Sequence, residues 1–249
     1  LATNKRQRLD KVLAHLGLGT RKEVKKILKD GKVRINEGIQ KDPKTQIDPY
    51  QDLIQVERET YQYQEFIYLM MHKPPGVISA TEDVRERTII DLLEQKDARF
   101  DPFPVGRLDK DTEGLLLLTN DGKLAHQLLA PKKHVPKTYF ARIEGEVTEE
   151  DRLQFAKGVT LDDGYETMPA KLDIQQQGPI SEVEITIMEG KFHQIKRMFA
   201  AVGKKVIYLK RLSMGPLRLD PALPKGSYRE LTDEELGLLK TEVSITKKQ

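Results

Sequence analysis

Gly106-Arg107-Leu108-Asp109-Lys110-Asp111-Thr112-Glu113-Gly114-Leu115-Leu116-Leu117-Leu118-Thr119 packs five charged side chains directly ahead of a four-leucine run. A short, continuous apolar run bounded by turn residues reads as a strand buried on both faces. Asn120-Asp121-Gly122 ends it. The charged residues before it therefore form a loop at the mouth of a buried sheet, where a rigid scaffold usually carries function. Gly106 and Gly114 let the backbone approach a ligand or turn tightly. The same residues also fit a plain surface turn in which Asp109 or Asp111 caps a helix.

Working outward, Phe66 to Met71 reads as a buried strand, and Pro74-Pro75-Gly76 turns the chain. Residues 123–129 read as a short helix. Residues 138–143, 181–188 and 205–212 read as strands, and 192–202 as a helix with Phe192, Ile195 and Phe199 on its core face. Strands mixed with short helices imply an α+β fold with a mixed, mainly antiparallel sheet. The N-terminal part differs. Leu9, Val12, Leu13 and Leu16 give a helix over 8–17 that Gly17 and Gly19 end. Thr20 caps a second helix, with Glu23 in the capping-box position and Val24, Ile27 and Leu28 as its stripe. Val33 and Ile35 start a strand, and Asn36-Glu37-Gly38 turns it. The polar stretch from Glu57 to Glu65 reads as a linker, and the tail frays after about Lys240. The expected organisation is a small domain with linker over 1–60, a larger domain over 61–240 and a tail over 241–249.

Charge is distributed unevenly. Residues 1–44 hold 13 Lys/Arg and 5 Asp/Glu, and the rest of the chain holds 29 and 34. A basic head on a slightly acidic body fits a polyanion-binding module, or a solvated face with no partner. There is no cysteine, which excludes disulfides, thiolate nucleophiles and thiolate zinc sites. Five scattered histidines give no zinc pair either. No apolar stretch is long enough to span a membrane, and no secretory signal is present. A cytoplasmic protein without a bound metal is the expectation.

Two further segments could carry chemistry. From Lys191 to Arg211 there are seven Lys/Arg and no Asp/Glu. On a helix Lys196 lies beside the apolar face, and a partly buried lysine calls for a carboxylate partner. Arg197, about 100° further round, is a surface residue or a polyanion contact. Lys137-Thr138-Tyr139 is a strand that either presents an aromatic ring to a base or buries it in the core.

Fourteen consecutive residues, Gly106 to Thr119, resemble the signature of the RsuA/RluA group of pseudouridine synthases. Lys137-Thr138-Tyr139 resembles that group's second motif, and Gly190-Lys191-Phe192-His193-Gln194-Ile195-Lys196-Arg197-Met198 its third. The segment from Arg8-Leu9-Asp10-Lys11 through Gly31-Lys32-Val33 to Asn36 resembles the S4 RNA-binding domain. Together they resemble the RsuA branch, over about residues 6–235. Thr20 stands where S4 domains often have Ser, and Lys196 where sister branches often have Arg, which keeps a cation but not a bidentate one.

The resemblance implies isomerisation of a specific uridine to pseudouridine in ribosomal RNA, the small-subunit 16S rRNA ahead of the large-subunit 23S rRNA. No atom is gained or lost, so no cofactor is expected. Asp109 is implied as the carboxylate that either attacks C1′ or takes a proton from C2′, with Lys196 as its cation. Tyr139 would stack on a flipped-out uracil, and Arg107 would hold the vacated site or a phosphate. Arg8, Lys11, Arg21, Lys22 and Lys25 would contact phosphates. The implied partner is ribosomal RNA or an assembling ribosomal subunit, met by a monomer. A non-catalytic S4-type ribosome-assembly factor remains the rival, although it leaves Gly106–Thr119 unexplained. A glycoside hydrolase or nucleosidase built on Asp109 with Asp111 or Glu113 is a second rival, and would release free base.

Overall fold

The computed structural model describes residues 6–245. They fold as two compact units, one reaching to Ile67 and including Glu94–Pro102, the other comprising Tyr68–Leu93 and the chain from Phe103 onward.

The first unit contains β1 (Gln7–Arg8), α1 (Leu9–His15), α2 (Arg21–Lys29), β2 (Val33–Ile35), β3 (Gly38–Ile39), β4 (Gln46–Ile47), β5 (Ile54–Val56), β6 (Glu59–Tyr61) and the short α3 (Gln95–Ala98). The Thr20 hydroxyl accepts from the Glu23 N–H, and the Glu23 carboxylate accepts from the Thr20 N–H, so the expected capping box forms. Leu9, Val12, Leu13, Val24, Leu28 and Ile54 share one buried core. The expected linker over 57–65 is not one. Glu59–Tyr61 pairs with Ile54–Val56 as a hairpin that turns at Glu57 in the left-handed region. Tyr63 is buried in this core, 5.3 Å from the His15 ring. Alternating apolar residues under a charged surface hid that hairpin. Residues 61–67, expected in the larger domain, therefore belong to this unit, as do 94–102, where Phe100 meets His15 edge-on.

The second unit is a sheet of nine strands among the described residues: β7 (Tyr68–Lys73), β8 (Phe103–Pro104), β9 (Glu113–Thr119), β10 (Lys137–Glu144), β11 (Lys171–Gln176), β12 (Ile180–Ile187), β13 (Lys205–Met214), β14 (Leu217–Arg218) and β15 (Tyr228–Glu230). Its main order is β11-β12-β10-β13-β9-β7-β15. Every pairing is antiparallel except β9 with β13, so the sheet is mixed and mainly antiparallel. The helices are α4 (Gly122–Leu129), capped by Asp121, α5 (Glu149–Lys157), α6 (Gln194–Ala201) and α7 (Asp233–Ile245).

Leu115 to Leu118 are fully buried. Leu115 and Leu117 pack with Met70, Val105, Leu124 and Leu239. Burying each such side chain contributes about 1.5–3 kcal/mol, which fixes β9 at the centre and with it the loop that precedes it. The end of the chain does not fray after Lys240: α7 continues to Ile245, with Leu239 and Val243 buried in the same cluster. Residues 246–249 lie outside the described residues.

One expectation about α6 fails. The helix starts at Gln194, not Phe192. Gln194 N–H donates to the Lys191 carbonyl (3.1 Å), and His193 sits at φ 48°, so the chain turns before the helix begins. Phe192 is thereby 70 % exposed, while Ile195 and Phe199 are buried as expected.

Candidate active site

The loop from Val105 to Thr112 is positioned from beneath by a residue that sequence reasoning missed. Lys73, at the end of β7, has no exposed surface. Its ammonium donates to the carbonyls of Asp109 (3.0 Å), Thr112 (2.9 Å) and Pro74 (3.0 Å), and more weakly to Lys110 (3.4 Å). Gly76 N–H donates to the Lys110 carbonyl (2.7 Å). The Ser79 hydroxyl holds Leu108 on both sides, donating to its carbonyl and accepting from its N–H. The Pro74-Pro75-Gly76 turn thus brings donors to a loop whose carbonyls have no strand partner. The available signal was a lysine closing an apolar strand just before a proline turn, but which side chains surround it is decided by the fold.

Burial pushes the Lys73 ammonium down to about 8, with the charges of Asp109 and Asp111 working the other way. Between pH 8 and the ordinary lysine value of 10.5, the unfolded chain binds a proton that the folded chain releases. Lys73 therefore makes stability rise with pH across that window. Lys73→Met is expected to cost about 2–4 kcal/mol, because the buried amine's hydrogen bonds are lost and the Thr112 and Pro74 carbonyls lose that donor. The urea midpoint should fall, and the gap to wild type should widen from pH 8 to 10. An unchanged midpoint would mean that the ammonium does not hold the loop.

Gly114 fixes the other end of the loop. Its φ is 112°, and a Cβ there would lie 2.3 Å from the Arg211 carbonyl oxygen, its register partner on β13. The close approach expected of this glycine is made to a neighbouring strand.

On this frame the expected residues converge. Lys196 Nζ lies 3.0 Å from Asp109 Oδ2, an ion-pair distance. It also lies 2.6 Å from Asp111 Oδ1, a second partner that the sequence did not single out. Burial alone would lower the Lys196 ammonium, but hydrogen bonds and charge from Asp111 and Asp109 outweigh it and hold it above the usual lysine value. Asp111 is likewise raised by burial and lowered further by Lys196, ending below the usual carboxylate range. His193 Nε2 is 3.6 Å from Asp109 Oδ1, too far for a hydrogen bond.

An open cleft above the pair is lined by Arg107, Asp109, Tyr139, Lys191, His193 and Lys196. Tyr139 is mostly buried in its wall, on β10 between Ile185 and Arg211, where a bulge between Thr138 and Tyr139 shifts the register. Bulges commonly re-aim a side chain beside a site. Arg107 is exposed at the rim. The cleft lining combines an anion paired with an ammonium, an aromatic ring and the Arg107 guanidinium.

Other expected contacts lie elsewhere. Arg197 is tied to Asp162 and Asp163 and not to the carboxylates of the site. In the first unit Arg8 pairs with Asp10 (2.7 Å), whereas Lys11, Arg21, Lys22 and Lys25 stand exposed on α1 and α2. Among the described residues no group of His, Asp and Glu could hold a metal, and no helix is long and apolar enough to cross a membrane.

Comparison with known proteins agrees with this geometry. Residues 67–201 match the RNA pseudouridylate synthase family and residues 7–52 the S4 domain. An uncharacterized RNA pseudouridine synthase of Bacillus subtilis is 56 % identical, with 93 % of this chain and 98 % of that protein covered. A ribosomal small subunit pseudouridine synthase A of Vibrio cholerae is 40 % identical over 92 % of this chain and 98 % of its own. A ribosomal large subunit pseudouridine synthase B of Bacillus subtilis is 37 % identical over 94 % and 96 %. A crystal structure of a pseudouridylate synthase superposes with a TM-score of 0.66 at 38 % identity, covering 93 % of this chain and 99 % of that one. This chain belongs to the RNA pseudouridylate synthase family, with an S4 domain ahead of its synthase domain.

Proposed function

We propose that the protein isomerises one uridine of ribosomal RNA to pseudouridine in the cytoplasm, with 16S rRNA the favoured substrate. The observation that carries this reading is the Asp109–Lys196 pair, 3.0 Å apart, in the cleft below Tyr139. The reaction breaks the N1–C1′ bond, joins C1′ to C5, releases the C5 proton and leaves a proton on N1, and charge develops at the sugar, where a carboxylate stabilises it. The uridine must first leave its helix. Tyr139 stacks on the uracil, and Arg107 at the rim occupies the vacated place or binds a phosphate. Asp109 then either adds to C1′ or removes the C2′ proton. Deuterium at C2′ slows turnover only on the second route. The ammonium of Lys196 meets the carboxylates' need for a positive partner without a metal or cofactor.

The small-subunit preference follows the third motif and the 40 % identical relative, but the 37 % identical relative is named for the large subunit. Both are tested together. Carbodiimide mapping of 16S and 23S rRNA from cells lacking the protein should show one pseudouridine missing, and the purified protein should restore it on a transcript. Loss of a 23S site would transfer the assignment to the large subunit. Release of free uracil would make the protein a nucleosidase, and RNA binding without either product would make it an assembly factor.

The first unit supplies affinity through phosphate contacts from α1 and α2. Replacing Lys11, Lys22 and Lys25 together by Gln should weaken rRNA binding and flatten its log–log salt dependence by about two to three units. These side chains are exposed, so the fold should be unaffected. An unchanged slope would make the basic face a solvated surface.

A further inference from the structure

The departure of Phe192 from α6 leaves a large aromatic ring in solvent beside the cleft. The ring lies flat on His193, with centroids 3.8 Å apart and planes 20° from parallel. One face is covered by the imidazole, while the side chain as a whole remains 70 % exposed. Both residues line a broad groove that continues from the Asp109 cleft and shares Arg107, Leu108 and Asp109 with it. The groove is too open to retain a small molecule by enclosure, and its lining carries three cations, Arg107, Lys110 and Lys191, against the carboxylates of Glu82 and Asp109.

The loop that carries the ring is tied on both sides of it. Gln194 accepts from the Lys191 N–H (2.8 Å) and donates to Glu189 Oε1 (2.9 Å). Glu189 also accepts from the Met168 N–H (2.9 Å) and from the Tyr165 hydroxyl (2.6 Å). His193 is kept at φ 48°, a conformation uncommon for a residue with a side chain, and such residues collect at binding sites. An exposed phenyl ring, already stacked on one face and braced by its loop, loses little freedom when a flat partner lands on the other face.

We propose that Phe192, backed by His193, is a stacking platform for the RNA base next to the target uridine, so that this loop reads substrate context while Tyr139 holds the uracil itself. The proposal rests on the RNA-isomerising reading above. An unpaired base fits better than an apolar protein segment, because cations outnumber carboxylates in the groove lining and the nucleotide's phosphate would meet them.

The test is a KM-against-kcat split on a short RNA carrying the uridine found by the mapping. Phe192→Ala should raise KM roughly 5- to 100-fold, the range expected for loss of one base–aromatic stack. It should leave turnover at saturating RNA within about twofold, since a phenyl ring supplies neither charge nor proton to the reaction. Phe192→Trp should restore KM, and Phe192→Leu should not. With 2-aminopurine placed at each flanking position in turn, one position should be quenched by wild type and by the Trp variant but not by the Ala variant. The melting temperature should not move, because the ring is exposed. If KM for Phe192→Ala stays within twofold, if kcat falls instead, or if Leu serves as well as Trp, the platform is wrong while the isomerase reading stands. A wild-type protein inactive on both rRNAs removes that reading and the platform with it.

Discussion

Replacing Asp109 with Asn is expected to lower turnover more than about a thousandfold, a loss of about 4 kcal/mol of transition-state stabilisation, while RNA binding persists. The substitution keeps the shape of the side chain and removes its negative charge, so it can neither add to C1′ nor accept the C2′ proton. The fold should tolerate the change. Lys196 keeps a carboxylate partner in Asp111, 2.6 Å away, so the ammonium is not left unpaired. The main-chain carbonyl of Asp109, held by Lys73, is also untouched. Tritium release from RNA labelled at uridine C5 measures the reaction, and filter binding of the same RNA measures affinity. Turnover within tenfold of wild type would remove Asp109 from the chemistry.

Lys196→Met should come next in severity, with turnover falling about a hundredfold or more. Met keeps the stem and removes the charge, so Asp109 and Asp111 face each other with no ammonium between them. A purely structural lysine would affect melting and activity together. The pairing seen here predicts a different signature. Asp111 loses the cation that holds it below the usual carboxylate range, so its carboxyl should titrate at higher pH in the Met variant, read by carboxyl-carbon NMR. Lys196→Arg should recover part of the activity and return that titration toward wild type. A Met variant with an unshifted Asp111 titration and near-normal turnover would make the pair incidental.

The parts of this protein that were legible in the sequence were those governed by local rules. The leucine run of β9, the capping box at Thr20 and the turn at Asn120–Gly122 each depend on residues a few positions apart. The pairing of Lys196 with Asp109, 87 positions away, was legible only through the resemblance and the need of a carboxylate for a cation. Three features were not legible, each for a different reason. Lys73 looks like any lysine closing a strand, and only the folded loop shows its four carbonyl acceptors. Glu59–Tyr61 looks polar, although its pairing with β5 makes it a strand. Phe192 fits a helical stripe by spacing, and the left-handed turn at His193 takes it off the helix. Propensity reads windows, whereas these outcomes were settled by contacts that no window contains.

The pairing of Gly114 with Arg211 has a consequence for how the site comes into being. Asp109 stands just before one of these two parallel strands and Lys196 on the helix before the other, and no short hairpin can bring the two together. Closing a segment of this length costs entropy before any contact repays it. The strands from β10 to β12, all antiparallel neighbours joined within that segment, can form earlier because their contacts are more local. The carboxylate and its ammonium meet only when β13 docks against β9. A nascent chain that has not yet delivered Arg211 therefore carries a complete signature sequence and no active site.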